Sequence, residues 1–155
     1  MNIETRDFGA MEVSEEQIFE FPNGVYAFED AKSFALIELE KGHYPAWLQC
    51  TDNIRPCFIV FDPQLICKDY EVVLNSGEKA VLEVGENTSL KVLCIARVPE
   101  DYKETTVNLK SPIVINMDTK KAVQVILPKN YPYRQPVFKN SISETNETSE
   151  DEKED

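Results

Sequence analysis

The sequence predicts an all-β fold: a small antiparallel β-barrel-like domain of about ten short strands with one or two short helices. Three observations point there. Apolar residues come in short runs or alternate with polar ones, the period of a pleated strand. Turn residues such as Pro22-Asn23-Gly24, Lys41-Gly42 and Asp62-Pro63 separate these runs at short intervals. The gaps between runs are too short for the crossover helices of a doubly wound parallel sheet.

Taken in order, segments 2–8 and 11–13 flank Gly9-Ala10 and predict a hairpin. Segment 18–21 is a short strand that stops at Pro22-Asn23-Gly24, and 29–32 fits one helical turn. Segment 33–40 alternates, with Ala35, Ile37 and Leu39 on one face. Segments 47–51 and 57–61 follow; the second ends where Pro63 removes a ladder donor. Segment 70–74 reads as a strand, and Ser76–Leu82 as a short helix with a serine cap. Segment 90–98 is a long central strand, and 105–110, 113–117 and 122–127 complete the set.

After Pro136 the composition shifts to Ser, Thr, Asn and Glu. Such a stretch cannot bury enough apolar surface to offset chain entropy. The expected organisation is one β-barrel domain, 1–136, followed by an acidic disordered tail, 137–155. Residues 140–155 carry seven acids and one lysine, so about half of the net charge of -12 lies there. An acidic body repels phosphate backbones, which argues against direct nucleic-acid binding and favours basic partners. The start, MNIETRDFGAMEV, lacks a basic region followed by an apolar run. Uninterrupted apolar stretches such as CFIVF fall far short of the roughly 20 residues a membrane helix needs. A cytoplasmic protein without membrane contact is expected.

Catalytic chemistry finds little support in these residues. His43 is the single histidine, in the loop LEKGHYPAW, and any Ser-His or Cys-His pair would have to use it. The carboxylate pairs Glu38/Glu40 and Asp69/Glu71 fit solvated strand edges better than an acid-base couple. Cys50, Cys57, Cys67 and Cys94 lack zinc-knuckle spacing and sit in apolar, strand-like contexts, as reduced buried thiols would. The five glycines form no GxGxxG loop. No catalytic, metal or cofactor site is expected.

Two groups remain as candidate contacts. Phe21, Tyr26, Phe28, Tyr44 and Trp47 lie beside loops, where they serve either as core or as anchors for a partner. Asn108 and Asn116 lie on strands where Val or Thr would suffice. Each amide offers both donor and acceptor, so each is either an internal strut or a partner contact. The residues alone end at an acidic all-β domain. A protein-binding module, a small-ligand-binding barrel and a hydrolase using His43 all remain open.

A resemblance goes further. FEFPNGVYAFED, WLQCTD, FIVFDP, KDYEV, VLCIARVPED, TVNLKSPIVIN and NYPYRQP occur in one order across roughly residues 3–136. In that order they resemble the FliW family of bacterial flagellar assembly factors, whose most distinctive run is NLxxPIxIN. Two positions depart from the family pattern. Ala27 stands where glycine is usual, which suggests a different backbone there, and Ser111 stands where alanine is common. The resemblance implies a small β-barrel-like fold and a non-enzymatic role. It implies binding of cytoplasmic flagellin and antagonism of the RNA-binding translational repressor CsrA, coupling flagellin synthesis to secretion.

Overall fold

The computed structural model describes residues 1–138. The tail expected at 137–155 therefore falls, from residue 139 onward, outside the described residues. Strands β1 (Asn2–Thr5) and β2 (Gly9–Glu12) form the expected hairpin. Its corner is residues 6–8 rather than Gly9-Ala10, because the Thr5 hydroxyl accepts from Phe8 N and donates to Gly9 O.

Strands β3 (Ile18–Glu20), β4 (Ser33–Ile37), β5 (Ala46–Cys50), β6 (Cys57–Phe61) and β7 (Leu90–Arg97) run as an antiparallel meander. Strand β7 then pairs with β9 (Ile113–Asn116), β9 with β10 (Lys121–Gln124), and β10 with β3. That last pairing closes a seven-stranded barrel and is parallel, unlike the others. It rests on Lys121 opposite Glu20, whose side chains also meet at 2.7 Å. Strands β8 (Thr106–Val107) and β11 (Gln135–Pro136) extend the sheet beyond the end of β7.

Strands with apolar residues on both faces explain the closure. Phe19, Phe34, Leu36, Leu48, Val60, Leu93, Ile113, Ile115 and Ala122 pack together, with every barrel strand contributing. These are the inward positions, so the lumen a small ligand would need is filled by side chains. The alternate residues Cys94, Val114 and Val123 form a second cluster outside the barrel wall. It is covered by α1 (Ser76–Leu82) through Leu82, by Tyr70, and by Val125, Leu127 and Tyr131. The β1–β2 hairpin covers the outer face of β4, setting Ile3 and Val13 against Ala35.

Several local expectations change. Segment 70–74 joins no ladder. Its alternation buries Tyr70 and packs Val72 and Leu74 on the outer core, while Tyr70 OH donates to Leu109 O at 2.6 Å. Alternation reports a one-sided extended chain, and pairing needs a free sheet edge as well. The helix has the expected bounds, but its cap is Asn75, in a capping box with Glu78, rather than a serine. Residues 29–30 form a turn and 31–32 run on without regular structure, instead of the expected helical turn. Leu39 is exposed beyond the end of β4, while Phe34 and Leu36 supply the inward face of that strand. Cys50, Cys57 and Cys94 are buried free thiols, but Cys67 is half-exposed in a loop.

Ala27 has φ +74°, a left-handed conformation that favours glycine. The loop has thus kept a glycine-type backbone with a side chain on it, instead of the different backbone expected. Gly24, nearby, has φ +67°, and a Cβ there would lie 2.5 Å from Glu29 O.

Candidate functional site

The five aromatic candidates do not form one surface. Phe21 is a correction: it is fully buried in the barrel, its ring centroid 4.9 Å from that of Phe34. With Phe19 it follows the inward period of β3, so it offers nothing to a partner. Trp47 points outward but is covered by the hairpin corner. Phe8 meets its ring edge-on at 4.9 Å, and its indole N–H donates to Asp7 Oδ2 at 3.2 Å. Arg6 beside Asp7 holds that carboxyl below its ordinary range.

Tyr26 and Phe28 are exposed, on the loop between β3 and β4. Phe28 packs on Phe58 and borders a cavity of about 340 Å³ together with Asp30, Asp52 and Arg55. Cys50 and Pro56, also at its edge, place this cavity at the end of β5 where the chain turns into β6. Tyr44 lies at the other end of β5. Five strand residues separate the two regions by about 15 Å.

Tyr44 belongs to a different feature, an apolar groove of about 400 Å³. Tyr44 and Pro45 form one wall, just before β5. The floor is Ile59 and Phe61, the outward residues of CFIVF, whose Phe58 and Val60 face the inner core. The far wall is Val98, past β7, and Tyr102, in a single 3-10 turn over Tyr102–Glu104. Asp101 caps that turn by accepting from Lys103 N, and Thr105 closes it, its hydroxyl donating to Tyr102 O at 2.6 Å. Val137 and Phe138 complete the lining. They are held there because Val137 N donates to Thr105 O, continuing the β8–β11 pairing, and Phe138 meets Tyr102 edge-on at 5.6 Å.

Val98, Tyr102 and Phe138 remain substantially exposed, at 44%, 62% and 36%. A concave apolar surface with exposed aromatics at its rim has the composition that partner-binding patches share. The candidate residues from the sequence included only Tyr44 of this set. A strand with both faces apolar, CFIVF, followed by the exposed-loop sequence VPEDY, was the available signal.

The two asparagines are occupied internally. Asn116 is 1% exposed; its Nδ2 donates to Leu82 O at 2.7 Å, and its Oδ1 accepts from Asp118 N and Thr119 N at 2.9 and 3.2 Å. It therefore ties the last turn of α1 to the β9–β10 turn. Asn108 Oδ1 accepts from Lys110 N and Ser111 N at 3.0 and 2.9 Å, shaping the turn before β9. Gln49, which the sequence did not single out, is fully buried and does the same. It accepts from Arg6 N and donates to the carbonyls of Cys50, Asn53 and Ile54, pinning the hairpin and the β5–β6 loop.

His43 is exposed, with Nδ1 2.9 Å from Glu40 Oε1. Among the described residues no three His, Cys, Asp or Glu side chains come together as metal ligands, and no helix is long and apolar enough to cross a membrane.

The comparisons agree with this architecture. The model of the family described as FliW protein matches residues 2–137. A flagellar assembly factor FliW from Caldicellulosiruptor bescii is 37% identical over 143 residues, 92% of this chain and 93% of that protein. One from Leptospira interrogans is 36% identical over 146 residues, 93% of this chain and 97% of that protein. A crystal structure of the flagellar assembly factor FliW superposes with a TM-score of 0.81 at 28% identity, covering 92% of this chain and all of that one. With the match running from the hairpin to Val137 in the groove lining, the chain belongs to the FliW family.

Proposed function

We propose that this chain is a non-enzymatic flagellar assembly factor that binds flagellin in the cytoplasm and antagonises a CsrA-type translational repressor. The observation that carries flagellin binding is the apolar groove between Tyr44 and Tyr102 on a FliW-family fold. Flagellin's terminal segments are amphipathic when helical, and an amphipathic helix needs such a groove to cover its apolar face. The net charge of -12 supports the second arm. A repressor that holds RNA presents positive charge, and an acidic partner approaches it quickly and disfavours phosphate nearby. Flagellin occupying the factor would then free the repressor, so that synthesis follows secretion.

The test is a pull-down with the full chain as bait against purified flagellin and purified CsrA, singly and together. The proposal expects each to be retained alone and flagellin to displace CsrA. Retention of neither, or a stable complex of all three at undiminished affinities, contradicts it.

A further inference from the structure

We propose that Tyr44 joins the apolar groove to a second cavity beside it, and that the joined track selects an amphipathic helix carrying an acidic side chain beyond its apolar stripe, received by Lys91. This deepens the reading of the groove as a partner site and rests on it. Three features of the chain lead to it.

The first is continuity. Tyr44 lines both the groove and a cavity of about 480 Å³, whose wall also includes Asp62, Val72, Leu90, Lys91 and Met117. Phe61 lies on the floor of the groove, and the next residue, Asp62, is already in the second cavity. Leu90, at the start of β7, lines the second cavity, and Val98, eight residues on, lines the groove. Eight strand residues cover about 26 Å, the length of a helix of about 17 residues.

The second is a change of chemistry along the track. In the groove Ile59, Phe61 and Val98 offer no side-chain hydrogen bonds, and the Thr105 hydroxyl already donates to Tyr102 O. A polar ligand would lose its water there without compensation, whereas the apolar face of a helix would not. Val72, Leu90 and Met117 continue the apolar surface into the second cavity, but Lys91 adds a charge. Lys91 is half-buried, with Nζ 5.9 Å from the centroid of the Tyr44 ring, and no carboxylate or hydrogen-bond acceptor among the described residues meets it. An ammonium partly withdrawn from water is best satisfied by an incoming carboxylate. Asp62, in the same cavity, does not serve it: its Oδ1 accepts from Gln64 N at 2.9 Å and caps the turn after β6.

The third is the charge around the track. At the Tyr102 end Glu100, Asp101 and Glu104 stand against Arg97 and Lys103, and all five are exposed. Nearly balanced charges in full contact with water contribute little. Beside Tyr44, exposed His43 and Glu40 hold each other at 2.9 Å. Of these cations Lys91 alone is half-buried, so it carries the selectivity. A second copy of this chain is a poor occupant, since two bodies of -12 repel.

The experiment uses the full chain and two synthetic helical peptides of about 18 residues, matched in helicity and amidated at the C-terminus so that only side chains supply carboxylates. Both carry the same leucine stripe; the last turn holds two glutamates in one and two glutamines in the other. Each is titrated calorimetrically at about 50 mM salt, where screening is weak. The native chain should bind the glutamate peptide about fivefold tighter than the glutamine peptide. Lys91→Gln should bring that ratio below about twofold with its melting temperature unchanged, and Lys91→Arg should keep it. Tyr102→Ser should weaken both peptides and leave their ratio intact. Failure of both peptides to bind, equal affinity on the native chain, or a preference that survives Lys91→Gln overturns the proposal. A native chain that sediments as a dimer, and as a monomer once Tyr102 is replaced by serine, makes a second copy the occupant and overturns it too. Flagellin run in the same series separates the two claims. If the peptides behave as expected but Tyr102→Ser leaves flagellin binding unchanged, the track and its selectivity stand and flagellin binds elsewhere. If Tyr102→Ser weakens flagellin while the two peptides tie, flagellin binding at the groove stands and the selectivity falls.

Discussion

Replacing Asn116 by alanine should cost about 3 kcal/mol of stability. The side chain is 1% exposed, so no water replaces its partners. Three good hydrogen bonds disappear: to Leu82 O at 2.7 Å, and from Asp118 N and Thr119 N at 2.9 and 3.2 Å. Each is worth about 1 kcal/mol net, and the two N–H groups left behind lose their acceptor. Leu82 O keeps one partner, the Thr119 hydroxyl at 3.2 Å, which limits the damage at the helix end. Aspartate at 116 makes a sharper second probe. It keeps the acceptor for Asp118 and Thr119 but turns the donor facing Leu82 O into a charged oxygen, so the helix anchor alone fails. Urea unfolding of the full chain, with midpoints compared at unchanged slope, gives the number. A loss below about 0.5 kcal/mol would refute the strut assignment. Intact stability with lost partner binding would place Asn116 in an interface instead.

Three further outcomes follow from the geometry. Ala27→Gly should stabilise the protein by about 0.5–1 kcal/mol in urea melts, because the left-handed cost at φ +74° exceeds the added chain entropy of glycine; a destabilised variant would contradict this. Gly24→Ala, in the same loop, should cost more than about 2 kcal/mol, since a Cβ would sit 2.5 Å from Glu29 O at φ +67°, and a neutral result would show that the loop yields freely. Burial pushes the Cys57 thiol up to about 11 and the Cys94 thiol up to about 12 from an ordinary 9.0, so the unfolded chain releases these protons first; stability should be full below about pH 9 and fall as pH rises toward those values, with Cys94→Ala flattening the fall and an unchanged melting temperature at about pH 10.5 contradicting it.

The barrel was legible because its strands announce themselves locally. CFIVF and the Ile113–Asn116 strand carry apolar residues on both faces, and turn residues mark their ends. Closure through Lys121 opposite Glu20 was not legible, because a single parallel bridge between residues 101 positions apart leaves no local pattern. Segment 70–74 shows the reverse error, where true alternation belongs to an extended chain that packs on the outer core without joining a ladder. At the site, the aromatic content of the loops was visible, but not which end of β5 each ring occupied. Phe21 and Tyr26 are five positions apart, yet one is wholly inside the barrel and the other half-exposed. The groove brings together the approach to β5, the middle of β6, the end of β7 and the last described residues, and such a meeting is decided only by the register of the closed sheet.

Titrating flagellin against the native chain, Tyr102→Ser and Tyr26→Ser tests the central claim most directly. Both tyrosines are exposed, at 62% and 51%, so neither change should unfold the domain, and they lie at opposite ends of β5. Tyr102→Ser should weaken flagellin binding by about tenfold or more, while Tyr26→Ser should change it by less than about twofold. The reverse order, or no effect at Tyr102, would contradict the assignment of the groove as flagellin's site.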